Sequence, residues 1–216
     1  MILLIAWACH TPAHDLYAAF VQHRVRMEVG AQHIDLTLDL TFFEEGSMRE
    51  RQRMDSDKDG RIARSEIEAY LMKNRSVLAN RIKLLVAGRE VPLAELYEPE
   101  VDLLGSNRTA PAHHRLRLYF FASTPSTLRA GDSLVVEDRL RPEAKALITL
   151  DGAAADGGKI EAEKPVDPAC APAGPDEARI FKFRCLTPPE AASAKDVSRT
   201  ISTNAVSSQP TTSPRP

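Results

Sequence analysis

The chain has 216 residues, of which 43% are hydrophobic and 27% are charged, and its 28 basic and 30 acidic residues give a formal net charge of −2. This length and apolar content are enough to build a core, and the near-balanced charge excludes a bulk basic surface for nucleic acid and an acidic tail. One local cluster contains six basic residues: Arg49, Arg51, Arg53, Lys58, Arg61 and Arg64. Acids are interspersed among them without aromatic residues, so we expect a solvated helical face and no nucleic-acid partner.

Residues 1–8 form an apolar run that is too short to span a bilayer but long enough for the core of a secretory signal. The small residues Thr11 and Ala13 fit the positions that a signal peptidase reads, which predicts cleavage after Ala13. The alternatives are a buried N-terminal strand and lipidation of Cys9. We expect residues 1–13 to be a signal peptide of an exported protein, periplasmic or extracellular, without a transmembrane helix in the mature chain. Lipidation of Cys9 would add a membrane anchor.

Residues 14–45 contain two segments with strict alternation of apolar and polar side chains. In residues 24–29 and again in 33–41, every second residue is apolar, which is typical of half-buried strands. Residues 30–32 contain a glycine and supply a turn between them. The pattern predicts a β-hairpin at the start of a β core.

Residues 46–82 change to a helical period. Gly46 is expected to end the strand, and Ser47 with Glu50 matches a capping box that begins a short helix. After residue 66, apolar residues recur at helical spacing up to Ile82, which predicts a second, amphipathic helix, or two helices with a break near Asn74.

Strand patterns return in residues 83–151, separated by Pro and Gly turns. The predicted strands are 83–87, 91–96, 115–122, 133–138 and 146–150. We therefore expect an α+β fold that is mostly antiparallel and sandwich-like, with the helical region inserted between the second and third strands.

The C-terminal third differs in composition. Residues 152–186 are rich in Ala, Gly, Asp and Pro, which predicts a linker with one strand at 179–184. Cys170 and Cys185 in this segment are either a disulfide that staples it or two unrelated free thiols. Residues 187–216 contain few large apolar side chains, so we expect a disordered tail.

The loop between the two predicted helices, residues 55–66, has an oxygen ligand at nearly every position where a calcium loop requires one. Asp55, Asp57 and Asp59 offer carboxylates at alternate residues, where a coiled backbone directs them to one centre. Gly60 accommodates the left-handed turn that follows. The Arg61 backbone carbonyl and both oxygens of the Glu66 carboxylate would complete the ligand set.

Ala63 has no ligating oxygen, so a water is expected at that position. The alternative is an acidic helix-to-helix turn that binds nothing, but so many carboxylates would repel one another without a cation. On these residues the segment resembles an EF-hand of the calmodulin-type superfamily. The resemblance implies one bound Ca²⁺ and places Ile62 in a small β-bridge between paired loops.

Two features depart from that family. The entering helix is short, and no second loop is found: residues 151–161 have Ala153 and Ala155 where ligands would be needed. More loosely, the signal, hairpin, EF-hand and further strands resemble a group of uncharacterised bacterial exported proteins with a His-x-Leu after the signal, here His14 to Leu16.

Other candidate sites are weaker. His113 and His114 are adjacent, and His23 and His33 are expected to face each other across the hairpin, which would suit a transition metal, although solvent-exposed histidines are the more common case. No nucleophile elbow, P-loop or dinucleotide fingerprint occurs, so we expect a non-enzyme. The hypotheses are a structural or binding role for calcium, a sensor that exposes a partner-binding face, and an enzyme with an unrecognised site.

Overall fold

A computed structural model describes residues 20–124, 128–142, 144–163, 169–170 and 177–189. The expected signal peptide, the lipidation of Cys9 and the segment from His14 to Leu16 therefore lie outside the described residues. The expected tail also lies outside them beyond Pro189, whereas Thr187 is the last residue of a strand.

Eleven strands and two helices are found in the described residues. In chain order they are β1 (Phe20–Val29), β2 (His33–Phe42), α1 (Glu44–Met54), α2 (Arg64–Ala79), β3 (Ile82–Val86), β4 (Arg89–Val91), β5 (Ala94–Asp102), β6 (His114–Ser123), β7 (Ser133–Asp138), β8 (Lys145–Ala154), β9 (Lys159–Ala162), β10 (Ala169–Cys170) and β11 (Arg179–Thr187). The two helices follow β2 and precede β3, as the sequence predicted.

The strands form two sheets. The first has the order β10-β8-β1-β2-β6-β5 and the second β4-β3-β7-β11-β9. All strand pairs are antiparallel except β1 with β8, which run parallel. The expected mostly antiparallel, sandwich-like α+β fold is therefore confirmed at this coarse level.

Alternation along the strands builds one core between the sheets. In β2 and β6 every second residue is buried and the residues between them are half-exposed, as a period of two requires. The same cluster includes Leu84 of β3, Leu134 of β7 and Phe183 of β11, each fully buried, so side chains of both sheets meet in it. A polar contact also crosses this core, because His23 Nδ1 of β1 lies 2.6 Å from Asp138 Oδ2 of β7.

The hairpin of β1 and β2 is confirmed, but its register differs from one expectation. Val29 pairs with Ile34, and this register sets His23 opposite Leu40. His33 instead pairs with Ser123 of β6. The two histidines therefore do not face each other, because the tight turn leaves His33 at the turn end while His23 lies near the other end.

The helix boundaries also required correction. Phe43 is the N-cap of α1, so Gly46 and Ser47 lie inside the helix, and Ser47 is buried rather than capping it. The Glu50 side chain is likewise turned to other partners. The second helix runs unbroken through Asn74, whose amide donates to the Tyr70 carbonyl one turn earlier. Ile82 already belongs to β3.

The interpretation of residues 152–186 as a linker is wrong where the structure describes them. Here β8 continues to Ala154, and β11 lies inside the second sheet between β7 and β9. The side chain of Cys185 is a free, fully buried thiol, so the possible Cys170–Cys185 staple is not formed. Alternating Phe181, Phe183 and Cys185 point into the core, where burial offsets the ordering of this segment.

Within the described residues, neither helix combines the length and apolar character needed to cross a membrane.

Candidate metal centre

Helix α1 delivers the first acidic residue of the loop. The helix ends at Met54, and Asp55 leaves the helical region with ψ of 87° while its N–H still donates to the Arg51 carbonyl at 3.0 Å. The Met54 side chain is buried, which ties the helix end to the protein interior. Asp55 is itself 8% exposed, so its carboxylate lies at the inner wall of the loop.

The structure brings the three aspartates of the loop together. One carboxylate oxygen from each of Asp55, Asp57 and Asp59 lies within 4.8 Å of the other two. Three charges so close repel one another in the absence of a cation. The three carboxylates are therefore a candidate binding site for a hard metal ion that prefers oxygen ligands.

Hydrogen bonds from the loop backbone hold these carboxylates. Asp55 Oδ2 accepts from the Gly60 N–H at 3.0 Å, Asp57 Oδ1 accepts from the Asp59 N–H at 3.1 Å, and Asp59 Oδ1 accepts from the Arg61 N–H at 2.7 Å. Each carboxylate uses one oxygen in this way. The other oxygen of Asp55, Oδ1, is buried without a hydrogen-bond partner among the described residues.

Gly60 permits the turn that closes the loop. Its φ is +83°, in the left-handed region where a Cβ is disfavoured, as the sequence predicted. Lys58 also has a positive φ, of 62°, which costs more for a residue with a side chain. The loop backbone is therefore bent once between Asp57 and Asp59 and once directly after Asp59, and the Asx hydrogen bonds stabilise those bends.

Glu66 is not part of the aspartate cluster, and its carboxylate accepts hydrogen bonds from backbone N–H groups of the loop. Its Oε2 accepts from the N–H of Ala63, the N-cap residue of α2, at 2.9 Å. Its Oε1 accepts from the N–H and the hydroxyl of Ser56 at 2.7 and 2.8 Å. These donors, Ala63 first, lower the pKa of Glu66 to about 2. The carboxylate is therefore ionised and spans the start and end of the loop.

A short β-bridge joins the loop to the connection between β5 and β6, residues 103–113. Arg61 is bridged to Arg108, with the Ile62 N–H donating to the Asn107 carbonyl at 2.7 Å and the Thr109 N–H donating to the Gly60 carbonyl at 3.1 Å. Both bonds use neighbours of Arg61, so its carbonyl takes part in neither. The Ile62 side chain is 3% exposed, so this bridge lies over a buried anchor.

Arg51 organises the same β5–β6 connection from inside. Its side chain is fully buried, and its two terminal nitrogens donate to the carbonyls of Leu103, Ser106, Arg108 and His113 at 2.6 to 2.8 Å. Its Nε donates to Ser47 Oγ at 3.2 Å. All five N–H donors of the guanidinium are thereby used. The expected solvated face is wrong for Arg51, whereas Arg49, Arg53, Lys58, Arg61 and Arg64 are exposed.

Glu50 couples the two helices. Its carboxylate is 5% exposed and accepts from the Tyr70 hydroxyl of α2 at 2.9 Å and from Arg53 at 2.8 Å, and it pairs with Arg141 at 3.0 Å. Burial and the charge of Glu50 raise the pKa of Tyr70, which keeps the phenol protonated. Two cations and one hydroxyl thus satisfy a buried carboxylate between α1, α2 and the residues after β7.

Ser47 and His114 form a buried pair behind α1. Ser47 Oγ lies 2.7 Å from His114 Nδ1, and the imidazole stacks on Phe42 with ring centroids 4.5 Å apart. Burial, then the charges of Arg51 and Arg141, lower the pKa of His114 to about 3, so the ring is neutral. Because Arg51 donates to Ser47 Oγ, the serine hydroxyl is left to donate to Nδ1. Because both side chains are buried, a substrate in solution cannot reach this serine and histidine pair in this structure.

The histidines do not form a transition-metal site in the described part of the chain. His23 and His114 are each 1% exposed, so the expectation of solvent exposure is wrong for them, whereas His33 and His113 are exposed. The polar contact of His23 is to Asp138, and that of His114 is to Ser47. Among the described residues, the group suited to a metal is the three aspartates.

Sequence reasoning identified the loop but missed the residues that support it. Ser47 matched a capping box and His114 a pair of adjacent histidines, but neither pattern predicts the contact between them, and Arg51 donates to carbonyls more than 50 residues away. A basic residue one turn before a loop is usually exposed, so its pattern alone predicts solvent. The chain matches no protein-family model, and no curated protein matches it at a significant level.

Proposed function

We propose that residues 55–66 bind one calcium ion in the manner of a single EF-hand, and that the ion stabilises the helical insertion against the β core. Asp55, Asp57, Asp59 and Glu66 would supply carboxylate oxygens and Arg61 its backbone carbonyl. An oxygen-only set of this kind suits Ca²⁺ better than a transition metal.

The observation that carries the proposal is the convergence of the three aspartates, with carboxylate oxygens within 4.8 Å of one another and Asp55 Oδ1 buried without a partner. A buried, ionised oxygen without a hydrogen bond is costly, and a cation is the partner that removes this cost. The β-bridge supports Arg61 as a ligand, because it uses the Gly60 carbonyl and leaves that of Arg61 aside.

Glu66 would have to change partners to act as a ligand. Its carboxylate now accepts backbone N–H groups from Ser56 and Ala63, and it sits in the first turn of α2. Its ionised state at neutral pH favours cation binding. A shift of this one side chain toward the aspartates would pull on α2, so binding is coupled to the position of that helix.

The affinity is expected to be modest. A loop without a paired second loop, with Lys58, Arg61 and Arg64 exposed around it, should bind at about 10⁻⁴ to 10⁻³ M, the range of extracellular modules. Such an affinity suits an exported protein, because extracellular calcium-binding modules work in this range. We therefore propose export together with calcium binding, and a non-enzymatic role.

The test is a calcium titration by calorimetry on the wild type and on Glu66→Gln. The substitution removes one charged ligand and should weaken binding by more than about tenfold, since each factor of ten needs only ~1.4 kcal/mol. Asp57→Asn should weaken it likewise, while Asn keeps an oxygen for the Asp59 N–H.

Glu68→Gln is the matched control, because Glu68 is exposed on α2 and pairs only with Arg64 in the described contacts. It should bind as the wild type does. Equal affinity of the wild type and Glu66→Gln, or no heat at all with millimolar calcium, would contradict the proposal.

A sensor role is the second candidate, and one surface favours it. A groove of about 780 Å³ lies between α2 and β5, with Ile67, Leu71 and Val101 among its lining residues. Met72 and Tyr97 at this groove are 80% and 63% exposed, which is unusual for large apolar side chains. Movement of α2 on calcium binding would widen this groove for a protein partner. The β-bridge, which restrains the loop, favours the structural role instead.

A further inference from the structure

The outward face of the first sheet carries nine polar side chains in a regular array. The register of β1, β2 and β6 sets them in three cross-strand rows: Gln22–Thr41–Arg115, Arg24–Asp39–Arg117 and Arg26–Thr37–Tyr119. These nine residues, which we call the arginine grid, line a hollow of about 390 Å³. A hollow of this size accommodates a small ligand.

The grid is basic. Four arginines face a single aspartate among the nine lining residues. In the middle row, Asp39 accepts from Arg117 at 2.5 Å, and Arg24 turns outward to Asp151 of β8 at 2.7 Å. Arg117 also donates to Glu100 of β5 at 3.3 Å. The middle row is thus largely neutralised by acids of its own and neighbouring strands.

The two outer rows each contain one arginine without such a partner. Neither Arg26 nor Arg115 makes an ion pair or hydrogen bond from its side chain with the residues that the structure describes. Each has an acid beside it in register, but Asp151 is bonded to Arg24 and Asp102 accepts from the Leu104 N–H at 2.8 Å. Two guanidinium groups therefore face the hollow from opposite corners.

The spacing of the corners selects the kind of ligand. Arg26 and Arg115 are two strands and four residues apart, so their Cα atoms are separated by roughly 17 Å on ordinary sheet spacings. Two long arginine side chains at this separation can contact the same ligand, but they cannot both contact the same ligand atom. Asp39, which accepts from Arg117, lies midway between them, Thr37 and Thr41 lie beside it on β2, and Gln22 and Tyr119 lie at the other two corners. A ligand with two separated anionic groups and polar atoms between them fits this arrangement.

We propose that the arginine grid binds a compact ligand carrying two or more phosphate or sulfate groups, with Arg26 and Arg115 each holding one oxyanion. Guanidinium groups bind such anions through paired, charge-assisted hydrogen bonds. Glu28 and Asp35, which pair at the next position of β1 and β2, bound the site at one end. The site is on the opposite side of the β2 strand from the core and does not depend on the loop 55–66.

The experiment is calorimetric titration of the full chain, in chelator, with inorganic tripolyphosphate in one arm and sucrose octasulfate in the other. The wild type should bind at least one of them, and the arm that binds distinguishes phosphate from sulfate chemistry. Arg26→Gln with Arg115→Gln should weaken binding by at least about tenfold, since each loses a charge-assisted hydrogen bond. Both side chains lack partners, so this variant should fold and melt as the wild type does.

Arg89→Gln with Arg129→Gln is the matched control. These two arginines are also exposed, and they lie in or beside the second sheet, so the control removes the same charge elsewhere. It should bind within about twofold of the wild type. Equal weakening by the two double variants would reduce the effect to net charge, and it would overturn the site, as would failure of the wild type to bind either probe.

Discussion

At the scale of single residues, two buried side chains support the loop through opposite electrical states. Arg51 remains charged because four carbonyls and one hydroxyl accept hydrogen bonds from its N–H groups. His114, next to it through Ser47, remains neutral because burial and the neighbouring cations oppose a second positive charge. The same buried environment thus accommodates the guanidinium cation of Arg51, whose N–H groups are all hydrogen-bonded, and disfavours the imidazolium form of His114.

The neutral state of His114 makes stability depend on pH. Its pKa is about 3 in the folded protein and 6.5 in the unfolded chain, so between these values the unfolded chain binds more protons. The contribution is therefore complete above pH 6.5 and is lost as the pH falls toward 3. From pH 7.5 to pH 5 the free energy of unfolding should fall by about 2 kcal/mol on this account, measured by urea denaturation.

Two single variants, His114→Gln and His113→Gln, are compared with the wild type. The first should remove this part of the slope, whatever its effect on absolute stability, while the second changes an exposed neighbour and should leave the slope unchanged. A wild-type slope that survives in His114→Gln would show that other groups produce it.

At the scale of elements, the β5–β6 connection lies next to the loop 55–66 and is joined to it by a β-bridge. Arg108 of this connection forms the bridge with Arg61, and Arg51 of α1 donates hydrogen bonds to four carbonyls of the connection. The resemblance places Ile62 in a bridge between paired loops, whereas here the Ile62 N–H donates to the Asn107 carbonyl beside a bridge that pairs Arg61 with Arg108. The partner of the loop was not predictable, because residues 103–113 contain no acidic loop of their own.

Arg51→Met tests this link between elements. It leaves four carbonyls and the Ser47 hydroxyl without their donor, so we expect the free energy of unfolding to fall by at least about 3 kcal/mol, measured by chemical denaturation. Calcium affinity should fall as well, because the bridge to the loop loses its support.

Arg49→Met is the control for that change, since Arg49 lies on the exposed face of α1 and pairs with Glu45. It should cost no more than about 0.5 kcal/mol. Stability losses of the same size in Arg51→Met and Arg49→Met would argue against the role of Arg51.

At the scale of the whole molecule, a helical insertion is attached to a two-sheet core at several points. Glu50 joins α1 to Arg141 after β7 and to Tyr70 of α2, while the loop 55–66 joins the β5–β6 connection. A metal ion in the loop would therefore stabilise contacts to both sheets. These attachments favour a structural role over a large opening of the helices.

Melting curves with calcium and with chelator distinguish the two roles. At a calcium concentration about ten times the dissociation constant, the linkage gain is ~1.4 kcal/mol, which should raise the melting midpoint by about 3 °C. An environment-sensitive dye, followed in the same samples, should show no added apolar exposure. Increased dye binding at the α2–β5 groove would support the sensor role instead, and an unchanged midpoint would exclude the structural one.

The sequence by itself determined the local features of this protein. Strict alternation fixed the hairpin and most strands, and the acids at residues 55, 57 and 59 with Gly60 fixed the loop, because these patterns follow from backbone geometry within a few residues. The tertiary structure decided which polar side chains are buried, the partner of the bridge and the parallel pairing of β1 with β8. These depend on residues far apart in the chain, whose meeting no local period encodes.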